Sequence, residues 1–273
     1  MEGSSRRIWD SNTERTRSAI WDLSEALARW HLWGRLGWQD VALRYRRSLM
    51  GPFWLTLSMA VMVGTIGIIY GEMFRIDRNE YLPYLTVGLL VWGLISSCLS
   101  EGCQTFIESQ WLILQGNLPL SMFPFRVIWR NVVVFLHNAV IYLFVALVFR
   151  IEINWSILAV LPALVLLLAN ALWCATLLGM LSARFRDLPQ IISSLLQVLF
   201  FATPIIWRPD LITTKILVNA NPFYHFIELV RSPLLGQSPP ALSWLVAGAV
   251  TMLGMSVTLL FFRRFRTRIS FWV

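Results

Sequence analysis

Long apolar runs separated by short polar and basic stretches make up most of the sequence from Gly51 onward. A helix needs roughly 20 mostly apolar residues to cross a hydrocarbon core about 30 Å thick. Six stretches meet or approach that length, and they are Gly51–Phe74, Leu82–Ser100, Val127–Phe149, Ser156–Leu181, Ile191–Trp207 and Leu242–Phe262. The pattern predicts an all-α membrane protein with six transmembrane helices. The fifth stretch is short, and Pro204 near its end predicts that this helix stops or bends there.

Composition supports a membrane location. With 57% hydrophobic and 14% charged residues, the 273-residue chain has more apolar side chain than a soluble domain of this size buries. The net charge of +8 would suggest nucleic acid in a soluble protein, but no basic patch accompanies a soluble fold, so we expect no nucleic-acid partner. Cys98, Cys103 and Cys174 form no CxxC pair, and no histidine stands at ligand spacing. We therefore expect neither a disulfide nor a metal site.

Basic residues predict which way the spans run, because Lys and Arg concentrate in cytoplasmic segments. With the N-terminus inside, 17 of the 23 Lys and Arg residues fall in inner segments and the other six in outer segments. Gly51-Pro52 follows the inner arginines and is suited to start the first span, because proline is tolerated in the first turn of a helix. Both termini are therefore predicted to be cytoplasmic.

A helical stripe precedes the first span. Its apolar residues recur at spacings of three and four: Leu23, Leu27, Trp30, Gly34, Trp38, Val41 and Tyr45. Most arginines of the segment fall off this stripe. The pattern is typical of an amphipathic interface helix lying at the cytoplasmic membrane surface. A helix packed on a partner protein would show the same stripe.

The segment between the fifth and sixth spans, residues 208–240, is too long for a turn and too apolar for a solvated loop. It contains two short apolar helical stretches that are interrupted at Asn221-Pro222, since proline disfavours a helical residue before it. Short helices that re-enter the outer leaflet would satisfy their backbones against neighbouring spans. A hairpin lying on the surface fits the pattern equally well.

No energy source is evident in the chain. The single lysine, Lys215, lies in LITTKIL without the glycines of a P-loop, which excludes ATP hydrolysis of that kind here. The carboxylates lie at or beyond the span ends, whereas an ion-coupled carrier needs them within the membrane. Glu101, at the end of the second span, could be drawn into the membrane, or it could serve at the interface. We find no catalytic residues, so energy is expected from another chain.

Three motifs occur in a recognisable order, namely RYRRSLMGPFW (44–54), ARFRDLPQIISSLLQVLFFATPIIW (183–207) and NPFYHFIELVR (221–231). Together with six spans and no P-loop, they resemble the permease subunits of ABC-2 type exporters for cell-surface polysaccharides. That group comprises exporters of lipopolysaccharide O-antigen, capsule and wall teichoic acid. The resemblance runs over about residues 29–273.

The resemblance implies a homodimer of six-span subunits in the inner (plasma) membrane. Each subunit would dock on a separate ATP-binding cassette subunit that binds ATP and Mg, so that two such subunits serve the dimer. The complex would export a polyprenyl-diphosphate-linked polysaccharide, O-antigen in our preferred interpretation, through a channel at the dimer interface.

By the same resemblance, two further segments acquire roles. Residues 109–126 take the position of the coupling helix that contacts the ATP-binding subunit, and the residues at its centre are Gln115, Gly116, Asn117, Leu118 and Pro119. The re-entrant segment takes the position of the outer gate, with Asn221, Pro222, Phe223 and Tyr224. The chain then divides into a cytoplasmic segment with the interface helix (1–48), an ABC-2 transmembrane domain (49–268) and a cytoplasmic tail (269–273).

A path for a sugar chain should be aromatic and weakly polar, because sugars stack their C–H faces on rings and exchange hydrogen bonds through hydroxyls. The first and fifth spans supply such candidates, namely Trp54, Tyr70, Phe74, Gln197, Phe200, Phe201, Thr203 and Trp207. A lipid-facing aromatic belt is the alternative, and it is strongest for Trp54 and Trp207 near span ends.

Arg44, Arg46 and Arg47 also have two interpretations. They anchor the inner end of the first span by charge alone. A polyprenyl diphosphate would in addition present phosphate oxygens that guanidinium groups bind bidentately, which makes all three candidates for docking the lipid head.

Other functions remain open at this point. An ABC-2 permease for a small lipid or drug, or for teichoic acid, would share the spans and the partner. A membrane enzyme or a flippase driven without ATP belongs to another class, and the lack of buried carboxylates and of a catalytic set argues against both.

Overall fold

The computed structural model describes residues 19–46, 53–116, 118–152, 154–211, 213 and 215–273. Within these ranges every regular element is a helix. The α-helices are α1 (19–28), α2 (Trp30–Tyr45), α3 (Phe53–Phe74), α4 (Arg78–Gln104), α5 (Gln110–Leu114), α6 (Met122–Val148), α7 (Val160–Arg184), α8 (Leu188–Ala202), α9 (Lys215–Asn219), α10 (Pro222–Leu234), α11 (Ala241–Phe265) and α12 (Ile269–Trp272). Short 3-10 turns lie at Trp155–Ala159, Pro209–Leu211 and Arg266–Arg268.

Five helical stretches are long and apolar enough to cross a membrane, and they contain α3, α4, α6, α7 and α11. They confirm five of the six predicted spans as helices of spanning length. The fifth predicted span differs, since α8 has 15 residues and is therefore about 22 Å long at 1.5 Å per residue. It ends at Ala202 because Thr203, which precedes Pro204, is extended (φ −97°, ψ 139°). The helix thus stops before Trp207, where the apolar run ends.

Helix α4 is the centre of the bundle. It packs against α3, α6, α7, α8 and α10, and nearly every residue from Tyr81 to Ile95 is buried. At Gly102 it approaches α7 so closely that an added Cβ would lie 2.9 Å from the Cα of Ala175. The other long helices are therefore positioned relative to α4.

The segments predicted to be inner converge at one end of the bundle, which we call the inner end. Asp22 of α1 accepts hydrogen bonds from the backbone N–H groups of Leu120 (3.1 Å) and Ser121 (2.9 Å). Arg186 donates to the carbonyl of Trp272 (3.2 Å). A buried cluster fills the space between these segments, and it includes Phe106, Met122, Phe123, Met180, Phe262 and Ile269.

The predicted outer segments converge at the opposite, outer end. Arg208 pairs with Glu80 at 3.0 Å, and Asn154 donates to the carbonyl of Gly236 at 2.6 Å. The tyrosine hydroxyl of Tyr142 donates to the carbonyl of Leu234. Each set of segments that the sequence assigns to one side of the membrane therefore meets at one end of the bundle.

The irregular stretch after α8, residues 203–207, is held by three side chains that we call the carbonyl clamp: Tyr81, Tyr84 and Arg231. Tyr81 donates its hydroxyl to the carbonyl of Ile206 (2.7 Å). The Tyr84 hydroxyl lies 3.1 Å from the carbonyl oxygen of Pro204 and 3.2 Å from that of Trp207. Arg231 donates Nη1 to Pro204 as well (3.0 Å).

Arg231 is itself deeply enclosed. It is 1% exposed, and its guanidinium carbon lies 3.8 Å from the centre of the Tyr84 ring, within the range of a cation–π contact. Its carboxylate neighbour is Glu228, at 3.6 Å. A Cβ at position 88 would collide with Nη2, so only glycine leaves room on α4 for this side chain.

Replacing Tyr81 with Phe should destabilise the protein, because the buried carbonyl of Ile206 would lose its donor. The expected loss is about 1–3 kcal/mol of unfolding free energy, read as a lower thermal midpoint in detergent. Tyr70→Phe is the matched control, since the Tyr70 ring packs beside Phe74 (5.7 Å) at the same end of the bundle. Equal midpoints for the two variants would contradict the role given to Tyr81.

Candidate functional site

An open groove of about 620 Å³ lies between α3, α4 and α8. Its lining comes from all three helices and consists of Met59, Met62, Leu89, Trp92, Gly93, Ser96, Ser97, Ser100, Ser193, Leu196, Gln197, Phe200 and Phe201. Within the part of the chain that the structure describes, none of these lining residues is charged. The groove is therefore a neutral surface with both aromatic and polar parts.

The aromatic wall is a connected set of rings. Trp92 of α4 lies 6.0 Å from Phe200 of α8, measured between ring centroids. Phe200 in turn meets Phe201 edge-on at 5.2 Å. On its far side Trp92 packs against Phe223 of α10 at 5.8 Å. Trp92 is thus fixed from two sides, whereas Phe201 is 67% exposed and faces open space.

The polar wall is a row of serines on α4. Ser96, Ser97 and Ser100 recur within one helical turn of each other in the run WGLISSCLS, so they share a face with Trp92 and Gly93. Ser97 donates its hydroxyl to the carbonyl of Gly93 (2.7 Å). The hydroxyls of Ser96 and Ser100 donate to carbonyls within the same helix, at 3.3 and 3.4 Å. Their oxygen lone pairs are left as acceptors.

This arrangement suits a ligand that combines apolar faces with hydroxyl groups. Aromatic rings contribute contact area for C–H surfaces, and the serine oxygens and the exposed amide of Gln197 exchange hydrogen bonds. Among the described residues, no cluster of His, Cys, Asp or Glu side chains is placed to hold a metal ion. The groove thus offers aromatic surface and neutral hydrogen-bonding groups to a ligand.

The eight predicted path residues fall into two groups. The structure brings Gln197, Phe200 and Phe201 together in the groove. The remaining five do not line the groove, and they are Trp54, Tyr70, Phe74, Thr203 and Trp207.

Their positions explain this division. Trp54 is exposed near the inner end of α3. Tyr70 and Phe74 pack against each other and toward Tyr81. Thr203 is fully buried, and Trp207 donates its indole N–H to the carbonyl of Phe201 (2.9 Å).

The four predicted gate residues begin α10. Asn221 caps the helix, because its side chain accepts from the N–H of Phe223 (2.9 Å) and donates to the hydroxyl of Thr203 (2.9 Å). Pro222 occupies the first turn, and α9 and α10 lie on either side of this break, as the sequence predicts. Tyr224 is half-buried and meets His225 edge-on at 5.2 Å. The start of α10 is thus bonded to the end of α8.

The predicted coupling segment protrudes at the inner end. Gln115 and Gly116 are exposed, and Gly116 adopts a positive φ of 76° that ends the short helix α5. Leu118 is half-buried and Pro119 is buried, whereas Asn117 lies outside the described residues. Trp111 of α5 is 78% exposed. The segment therefore presents an apolar, solvent-facing turn that is anchored at its far end by Asp22.

Arg44, the first of the three predicted docking arginines, belongs to an ion-pair network on α2, α4 and α6. Arg44 donates to Glu101 (3.1 Å), which also accepts from Arg130 (2.8 Å) and Asn131 (2.7 Å). Arg46 is exposed. Arg47 lies outside the described residues.

The same network ties the N-terminal helices to the bundle. Asp40 of α2 accepts two hydrogen bonds from Arg126 of α6, at 2.7 and 2.6 Å. Arg130 lies 3.5 Å from the same carboxylate and is 9% exposed at its side chain. Arg130 of α6 thus lies between the carboxylates of Asp40 on α2 and Glu101 on α4.

Sequence reasoning missed the α4 side of the groove and this network. The serine row carried a signal, since Trp92, Ser96 and Ser100 repeat at a spacing of four and face one way. The pairs formed by Glu101, Arg130 and Asp40 carried none, because their members are far apart in the chain.

Comparison with known proteins gives one family. Residues 31–235 match the family described as "ABC-2 type transporter". A protein of Myxococcus xanthus named "O-antigen export system permease protein RfbA" is 25% identical over 174 residues, which cover 62% of this chain and 65% of that protein. The chain thus spans slightly less than two thirds of the length of that relative.

Two proteins of Klebsiella pneumoniae carry the same name. They are 21% and 22% identical over 226 and 229 residues. Each alignment covers 80% of this chain and 87% of the relative. Since the family match takes in most of the chain, including α4, α8 and α10, this protein belongs to the ABC-2 type transporter family.

Proposed function

We propose that this chain is the membrane-spanning subunit of an ABC exporter that moves a polyprenyl-diphosphate-linked O-antigen across the inner membrane. The neutral groove between α3, α4 and α8 carries the proposal, because its rings and hydroxyls match the surfaces of a sugar chain. The names of the relatives from Myxococcus and Klebsiella support O-antigen as the cargo. Energy would come from a separate subunit that binds ATP and Mg.

The sixth crossing would be made by α8 together with residues 203–207. Arg186, just before α8, is bonded at the inner end, and the carbonyl clamp holds the stretch after α8 at the outer end. A short helix plus an extended segment would therefore connect the two sides. With this crossing the chain would pass the membrane six times, and both termini would be cytoplasmic.

A second copy of the chain would close the groove. Helix α3 buries only Val63, Gly67 and Gly71 among its described residues, and its exposed face is apolar over most of its length. Phe201 and Val198 of α8 are exposed beside it. Two such faces meeting around a twofold axis would enclose a channel between two subunits.

The N-terminal helices would lie at the cytoplasmic membrane surface. Trp30 and Trp38 of α2 are 64% and 56% exposed, and tryptophan is favoured where hydrocarbon meets headgroups. The opposite face of α2 packs on α6. At the outer end, α9 and α10 would form the gate above the groove.

Two narrower alternatives concern the cargo. A permease for a small lipid or drug would need a more enclosed path than this groove offers. A teichoic acid exporter would carry a polymer rich in phosphate. We favour O-antigen over both because of the width and neutrality of the groove.

The proposal is tested by purifying the tagged protein in mild detergent and identifying what accompanies it. We expect an ATP-binding subunit in equal amount, whose ATP hydrolysis rises when an undecaprenyl-diphosphate-linked glycan is added. A clean preparation without such a subunit would overturn the proposal. A complex that responds to a hydrophobic drug and not to the glycan would support the small-molecule alternative.

Trp111→Ala should weaken the complex with the ATP-binding subunit, because it removes the large apolar side chain that α5 presents to solvent. The expected loss in affinity is about tenfold or more, as for a buried aromatic contact in an interface, measured by the amount of partner retained. Trp155→Ala is the control, since Trp155 is 88% exposed at the outer end. Equal retention in both variants would exclude α5 as the contact.

Arg46→Lys should lower glycan-stimulated ATP hydrolysis severalfold while membrane insertion stays unchanged. Lysine keeps the charge that sets topology but loses the bidentate geometry for a diphosphate. Arg35→Lys, at an exposed position on α2, is the control. Unchanged stimulation in Arg46→Lys would leave this arginine as an anchor only.

A further inference from the structure

We propose that the groove selects a neutral, hydroxyl-bearing glycan and excludes one that carries phosphate or carboxylate groups along its chain. The proposal rests on the export function proposed above and names the class of sugar polymer that this function serves. It follows from which hydrogen-bonding atoms the groove offers and from the absence of charge among its described lining residues.

The serine row offers acceptors rather than donors. Each serine has one hydroxyl proton; Ser97 donates its proton to the carbonyl of Gly93, and the hydroxyls of Ser96 and Ser100 lie 3.3 and 3.4 Å from carbonyls of α4. The strongest of these bonds, from Ser97 to Gly93, is 2.7 Å long. The oxygen lone pairs of all three side chains are left for a ligand, so a sugar hydroxyl donates to them.

Ionised groups gain less from this row than hydroxyl groups do. A phosphate diester or a carboxylate has no proton to donate, so it binds a serine only when the hydroxyl proton turns away from its backbone carbonyl, whereas a sugar hydroxyl donates to the serine oxygen and leaves that proton in place. An ionised group that binds to this neutral surface would also lose part of its hydration without gaining an opposite charge, which costs free energy. Among the lining residues, Gln197 of α8 brings amide donors and Trp92 of α4 an indole N–H, and these neutral donors do not compensate a charge.

The charged residue that follows the serine row is engaged elsewhere. Glu101 follows Ser100 directly, but its carboxylate accepts from Arg130 and Asn131 of α6 and from Arg44 of α2. Because this carboxylate is paired with Arg130 and Arg44, it does not attract a cationic sugar into the groove. For the same reason, these two arginines are bound to Glu101 and do not face an anionic sugar in the groove. Selection is therefore assigned to the serine row and the rings opposite it.

The aromatic wall is compatible with the same class of ligand. The exposed ring of Phe201 and the ring of Phe200 face the groove from α8, and C–H faces of neutral hexoses pack on such rings. Stacking requires no charge on the sugar. Both walls thus favour a polymer of neutral residues over a polyanion.

The test compares two substrates on the whole complex of this chain with its ATP-binding subunit, reconstituted in liposomes. One probe is an undecaprenyl-diphosphate-linked oligomer of neutral hexoses, and the other is the same oligomer with a phosphate on each second sugar. Both share the lipid and its diphosphate, so only the glycan differs. We expect the neutral probe to stimulate ATP hydrolysis at a concentration at least tenfold lower than the phosphorylated probe.

A pair of serine variants then locates the selectivity. Ser97→Ala removes an acceptor from the groove and should raise the half-maximal concentration of the neutral probe about fivefold, as expected for one hydrogen bond. Ser256→Ala is the matched control, since Ser256 of α11 makes the same bond to a carbonyl four residues earlier (2.7 Å) and lies outside the groove.

Each result has one meaning. Equal responses to both probes would overturn the selectivity and leave the export function intact. A response to neither probe would overturn the export function and the selectivity with it. A Ser97→Ala variant that matches Ser256→Ala would overturn the assignment to the serine row, even if the wild type prefers the neutral probe.

Discussion

Buried backbone carbonyls must find donors within the protein, and this requirement organises the outer half of the bundle. Residues 203–207 leave the helical hydrogen-bond pattern, and Tyr81, Tyr84 and Arg231 supply the missing donors. Those side chains come from α4 and α10, so one short irregular stretch joins three helices. Since Phe200 and Phe201 lie just before it, the same bonds fix the aromatic wall of the groove relative to Trp92.

The inner end is held mainly by charged side chains, which pair with one another and with backbone groups. Glu101 and Asp40 bind arginines of α6, and Asp22 caps the chain where α6 begins. These pairs connect the N-terminal helices, the exposed turn after α5 and the inner end of the groove on α4. The exposed turn is therefore connected to α4 and α6 through short, partly buried contacts.

Hydropathy and proline positions predicted most of the helices. Helices α4, α6, α7 and α11 extend a few residues beyond the apolar runs that predicted them, at one or both ends. A helix can continue past the last residue of an apolar run, so hydropathy alone does not locate its ends. Pro204 predicted an early end of the fifth span, and Asn221-Pro222 predicted the break before α10. Of the groove lining, the sequence predicted Gln197, Phe200 and Phe201 on α8. The serines of α4 were missed although they repeat at a spacing of four, because hydropathy does not distinguish a serine that faces a groove from one that faces a neighbouring helix. The pairing of Arg130 with Glu101 depends on tertiary contacts that no local pattern contains.

Serines whose hydroxyls lie against carbonyls of their own helix can also make one face of a buried helix polar without disturbing its packing. Helix α4 is buried between five neighbours, and a charged or amide side chain on it would need a partner of its own. Serines that donate to their own helix satisfy their protons and still present oxygens to the groove. Such acceptors hold a passing hydroxyl only weakly, and weak, repeated sites are what movement along a path requires. The central position of α4 thus favours serine at the points where the groove is polar.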